Sequence, residues 1–88
     1  MKTFEELYTE LSNKLAYAEE SSGTVQRLAQ EGVHGVGKKL IEEAAEAWMA
    51  AEFEGPERTA EEIAQLIYFT QVLILASGLT LTDVYRHL

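Results

Sequence analysis

Apolar residues in this chain return every three or four positions and almost nowhere every second one, a helical period from end to end. Thr3-Phe4-Glu5-Glu6 reads as a capping box, and Phe4, Leu7, Tyr8, Leu11 and Leu15 follow it at helical spacing. They predict a first helix from about residue 4 to about residue 18. Glu19-Glu20-Ser21-Ser22-Gly23 breaks the period, and Thr24 to Gln30 has room for a turn or two of helix before Gly32. Val33, Val36, Leu40, Ala44, Ala47 and Ala51 then mark one stripe of a long second helix running to Phe53 and ended by Gly55-Pro56. Gly35 and Gly37 weaken its beginning, so a start after Gly37 is equally compatible with the sequence. A third helix is predicted from about Thr59 to Ala76, closed by Ser77-Gly78. Thr80-Leu81-Thr82-Asp83 resembles a second capping box and starts a short helix carrying Val84, Tyr85 and Leu88.

No segment alternates as a β-strand between hairpin signals and no repeat appears, so the predicted class is all-α. With 88 residues, 47% of them hydrophobic, the chain fits a single domain over 1–88. Leu66, Ile67, Tyr68, Phe69, Val72, Leu73, Ile74 and Leu75 cover nearly every side of the third helix, which therefore needs burial all round. Two short neighbours in one chain do not readily surround it. The expectation is a homodimer with a four-helix core drawn from two chains; the alternative is a monomer covered by its first and last helices.

Charge changes the picture next. Fifteen acidic against seven basic residues give a net charge of -8, which disfavours nucleic acid and anionic membrane surfaces and favours divalent cations. There is no cysteine, so a bound metal must take oxygen ligands, or His34 or His87. The opening Met1-Lys2-Thr3-Phe4-Glu5-Glu6 lacks the positive charge and apolar run of a signal peptide, and no segment reads as membrane-spanning. A cytoplasmic protein is expected.

The chemistry-bearing residues are Glu42, Glu43, Glu46 and Glu62, set in stretches otherwise apolar enough to be core. Desolvating an ionised carboxylate costs several kcal/mol, so such a group implies either surface exposure or bound cations. Glu43 and Glu46 share a helix face, and Glu42 lies one turn from Glu46. Glu62 and Gln65 are likewise three apart, on a line that Phe69 and Val72 continue towards the core. Antiparallel helices joined through Gly55-Pro56 bring Glu46 and Glu62 to one level, facing one cavity. Mg2+, with Mn2+ as a substitute, suits oxygen ligands, and such an ion neutralises phosphate charge and activates water.

Other readings of these residues exist. Glutamates on helices are commonly a solvated face. A di-iron carboxylate bundle needs two Glu-x-x-His pairs, and only Glu31-Gly32-Val33-His34 supplies one. Lys38 and Lys39 precede the acids by a turn, either pairing with them or holding substrate phosphates. Among Arg27, Arg58 and Arg86 spacing does not choose. Trp48 and Tyr68 are read as core aromatics rather than base-stacking groups.

The run Gly37-Lys38-Lys39-Leu40-Ile41-Glu42-Glu43-Ala44-Ala45-Glu46, then Glu61-Glu62-Ile63-Ala64-Gln65-Leu66-Ile67-Tyr68 and the ending Gly78-Leu79-Thr80-Leu81-Thr82-Asp83 resemble the phosphoribosyl-ATP pyrophosphatase family of histidine biosynthesis. The likeness covers essentially the whole chain. EExxE with a following acid pair alone would mark only the wider MazG-like all-α pyrophosphohydrolase superfamily. The resemblance implies a MazG-like bundle that hydrolyses 1-(5-phosphoribosyl)-ATP to 1-(5-phosphoribosyl)-AMP and pyrophosphate with Mg2+. It implies Glu43, Glu46 and Glu62 as metal ligands and Glu42 as a further ligand or a water-orienting group. Thr24 and Lys39 are implied to approach substrate phosphates, with Lys38 beside them. Gln65 stands where the superfamily usually has Asp; its amide offers oxygen but no charge and no base, so it is read as a weak ligand or substrate contact. Two other functions compete: a MazG-type nucleoside triphosphate pyrophosphohydrolase with the same metal site, and a non-enzymatic helical interaction module with solvated acids.

Overall fold

Thr3 caps α1 (Phe4–Ala16) reciprocally with Glu6, its hydroxyl accepting from the Glu6 amide while the Glu6 carboxylate accepts from the Thr3 amide. The same device at Thr80 and Asp83 starts α4 (Leu81–Tyr85). Between them run α2 (Gly23–Phe53) and α3 (Pro56–Ala76), and no strand occurs among the described residues. The computed structural model describes residues 1–17 and 23–88. The break read over 19–23 therefore lies outside the described residues, except for Gly23, the first residue of α2.

The segment 24–30 and the long second helix follow one another with a break only at Gly32, whose φ of 64° and ψ of −151° are non-helical. A side chain there would be strained, and glycine is the residue that occupies such a conformation without penalty. α3 begins at Pro56, three residues before the expected Thr59, because proline at the first helical position loses no amide that the helix would use.

α2 and α3 form an antiparallel hairpin through Gly55. Leu11 of α1, Val36 of α2 and Val72 of α3 meet in the core, with Leu7, Leu28, Tyr68, Leu73, Leu75 and Ala76 packed around them. Gln71 is fully buried, and its Nε2 donates to the Phe4 carbonyl at 2.9 Å, fastening the start of α1 to α3. Tyr85 donates to Glu5 at 3.1 Å, tying the chain end to the same helix.

Two details of the expected packing differ. The buried seam of α2 is Val36, Glu43, Ala47 and Ala50, while Val33, Ala44 and Ala51 are exposed. Part of the apolar signal in α2 therefore belongs to a second face, and a glutamate occupies the seam itself. On α3, Phe69, Val72 and Ile74 are buried as expected, but Ile63 and Ile67 stay exposed within one chain.

Candidate active site

Glu43 sits in the buried seam of α2 and retains 5% exposure; Glu62, on the facing side of α3, retains 7%. Glu46, one turn beyond Glu43, lies at the open edge. One carboxylate oxygen from each of the three falls within 4.8 Å of the other two. The antiparallel pairing thus brings Glu43, Glu46 and Glu62 together, as the sequence reading expects.

Each buried carboxylate is held on one oxygen only. Lys39 Nζ lies 3.2 Å from Glu43 Oε1 and 3.3 Å from Glu42 Oε2. Arg58 Nη2 donates to Glu62 Oε1 at 2.7 Å, and the same guanidinium also pairs with Glu54 and Glu61. The remaining oxygens, Glu43 Oε2 and Glu62 Oε2, are buried without a hydrogen-bond partner. An unpartnered buried carboxylate oxygen is costly, and two of them beside a third acid form a donor set fitted to a hard divalent cation. The residues present therefore fit Mg2+.

Electrostatics agree with that geometry. The Glu62 carboxylate, which a protonated Glu46 can donate to, holds the Glu46 carboxyl above the ordinary carboxylate range; the charge of Glu43 and desolvation add to it. Lys39 is shifted upward chiefly by its bond to Glu43, against the opposing effect of burial. Its ammonium also lies 5.7 Å from the centre of the Phe69 ring.

The other expected site residues divide. Glu42 is exposed, outside the three-acid group, and bonded to Lys39. Lys38 and Gln65 are exposed. Thr24 Oγ1 lies 2.7 Å from the Tyr68 hydroxyl, and Tyr68 packs edge-on against Phe69 with ring centres 5.0 Å apart. Thr24 is thereby linked through two aromatics to Lys39 and the acids. Tyr68 packs on the core, as read from sequence, whereas Trp48 is exposed and donates to Glu52 at 2.8 Å. Glu31 and His34 are exposed and do not join the acidic group. Spacing alone does not choose Arg58 over Arg27 and Arg86, although its position four residues before Glu62 is the signal that marks it.

A family model described as phosphoribosyl-ATP pyrophosphohydrolase matches residues 4–88. The chain is 61% identical over 88 residues to a phosphoribosyl-ATP pyrophosphatase of Salinibacter ruber, covering all of both chains. It is 55% identical over 87 residues to the phosphoribosyl-ATP pyrophosphatase of Streptomyces avermitilis and 54% identical over 87 residues to that of Streptomyces coelicolor. Each of these two alignments covers 99% of this chain and 97% of the relative.

Proposed function

Because the chain belongs to the phosphoribosyl-ATP pyrophosphohydrolase family, we propose that it hydrolyses 1-(5-phosphoribosyl)-ATP to 1-(5-phosphoribosyl)-AMP and pyrophosphate, a step of histidine biosynthesis in the cytoplasm. The observation that carries this reading is the meeting of Glu43, Glu46 and Glu62 in one group, in which Glu43 and Glu62 each keep a buried oxygen without a partner. Glu43, Glu46 and Glu62 would hold Mg2+ there. Bound Mg2+ supplies charge neutralisation at the triphosphate, polarisation of the phosphoryl oxygen and a lowered pKa for water.

Lys39 and Arg58 each hold one oxygen of Glu43 and Glu62, so both carboxylates are oriented before any ligand arrives. The Glu46 carboxyl is held above the ordinary carboxylate range beside Glu62, and a positive counter-charge in the cluster would favour its ionised form. Lys38, exposed a turn before the acids, would offset charge gathering on the leaving pyrophosphate together with Lys39. Glu42 stands beside Lys39 at the solvent edge, where it can orient water. Thr24 and Gln65 are assigned to substrate contact, Thr24 through its place beside Tyr68 and Gln65 one turn after Glu62.

A homodimer completes the reading. Ile41 and Trp48 on α2 and Ile63 and Ile67 on α3 leave large apolar side chains in water. Ala51, Ala60 and Ile63 border one shallow depression, so the two exposed faces are continuous. No helix among the described residues is long and apolar enough to cross a membrane. The test is pyrophosphate release from phosphoribosyl-ATP, ATP and other nucleoside triphosphates with Mg2+ and with chelator. Phosphoribosyl-ATP is expected to be strongly preferred and chelator to abolish turnover. Equal rates on free nucleoside triphosphates would move the assignment to a house-cleaning pyrophosphohydrolase.

A further inference from the structure

Glu46, Met49 and Phe53 are spaced by three and then four residues on α2, so they form one stripe from the acidic cluster to the helix end. The upper part of that stripe is apolar and left in water: Met49 is 56% exposed and Phe53 is 78% exposed. It is not the face that carries Ile41 and Trp48, which lies roughly a third of a turn away round the helix at 3.6 residues per turn. α2 thus has two exposed apolar faces in the single chain, and the homodimer proposed above uses the one that carries Ile41 and Trp48.

We propose that Phe53, with Met49 beneath it, is the stacking platform for the base of the substrate. This rests on the phosphoribosyl-ATP reading. Seven residues of helix carry Phe53 about 10 Å along the axis from Glu46, the order of distance that separates a nucleotide's phosphates from its base. The chemistry of that base favours an aromatic. Ribosylation at N1 of adenine turns the ring system into an amidinium cation near neutral pH, and a cation over a phenyl face gains from the ring quadrupole. Neutral adenine in ATP gains only ordinary stacking there, so the platform distinguishes the ribosylated base from the free nucleotide. Met49 supplies a polarisable floor that adapts to ring position.

The experiment compares wild type with Phe53→Ala, Phe53→Leu and Phe53→Tyr, measuring kcat and KM for phosphoribosyl-ATP and for ATP. Inhibition by tripolyphosphate, which has no base, and Mn2+ affinity by electron paramagnetic resonance are measured on each. Phe53→Ala is expected to raise KM about tenfold or more, with tripolyphosphate inhibition and Mn2+ affinity unchanged. Phe53→Tyr should stay near wild type, Phe53→Leu should fall between, and the preference for phosphoribosyl-ATP over ATP should shrink in Phe53→Ala. A KM within about twofold of wild type overturns the platform, as does an equal loss of tripolyphosphate inhibition. So does subunit dissociation in sedimentation, which would make Phe53 an interface residue. Failure of wild type itself to act on phosphoribosyl-ATP would instead remove the reading beneath it.

Discussion

Arg58 Nη2 lies 2.7 Å from Glu62 Oε1, while the other oxygen of the same carboxylate is buried and has no partner. The arginine is half exposed, so it neutralises a buried charge from the solvent side without filling the position between the acids. Arg58→Gln removes that neutralisation. Its thermal midpoint in chelator is expected to fall by a few degrees, and saturating Mg2+ should recover most of the difference. A fall of equal size with and without Mg2+ would show that Arg58 serves only the helix start.

Glu46 gives the pH dependence. Its carboxyl is raised in the folded chain, first by Glu62 and then by the charge of Glu43, so the folded state binds the proton more tightly than the unfolded state. Its contribution to stability is therefore full below the ordinary carboxylate pKa and is lost as pH rises through the raised value. Thermal melts in chelator should show a midpoint that declines through that window. Mg2+ should flatten the decline, because a bound cation favours the ionised form. An unchanged slope in Mg2+ would separate Glu46 from the cation site.

Neutralising one ligand while keeping its shape tests the cluster directly. Glu46→Gln is expected to cut turnover on the order of 100-fold or more and weaken Mn2+ binding at least tenfold. Far-ultraviolet circular dichroism should not change, because Glu46 lies at the exposed edge of α2. Activity near wild type would count strongly against the site.

Gln71 probes the core. Gln71→Ala loses the bond to Phe4 and opens a void in a fully buried position, an expected cost of about 2–3 kcal/mol. Gln71→Met fills the volume and also removes the buried, unpartnered Oε1, so its cost is expected to stay below about 1.5 kcal/mol. Urea titrations order the two; equal losses would mean that the hydrogen bond, not the packing, dominates.

Subunit association is read from Ile63→Asp, which places a charge at the junction of the two exposed apolar faces. Sedimentation equilibrium should find the wild type dimeric and the variant monomeric, with activity that depends on protein concentration. A monomeric wild type would leave those faces without the proposed occupant.

The starts of α1 and α4 were legible because Thr3 and Thr80 carry their own chemistry, a hydroxyl three residues before a carboxylate. The meeting of Glu43, Glu46 and Glu62 was legible too, since helical period and a short link suffice to superpose them. Gly32 was harder. A glycine among good helix residues signals cost but not whether the chain bends, and here flanking helices continue on both sides of it. Burial of Gln71 and the bond between Thr24 and Tyr68 depend on which elements pack together, information that local spacing does not carry. The apolar surround of α3 suggested burial on every side, yet Ile63 and Ile67 stay exposed in the single chain.

The bend between α2 and α3 is closed by bonds from Glu54 N and Gly55 N to the Ala50 carbonyl and from Thr59 to the Gly55 carbonyl, with Gly55 at a φ of 97°. Nothing in it is slack. Each residue of an α-helix advances the angular position by about 100°, so one amino acid inserted within α3 between Pro56 and Glu62 would swing Glu62 out of phase with Glu43 if the link and the start of α3 kept their places. The angular phase of the two helices, as much as the acids themselves, is what lets the three carboxylates meet.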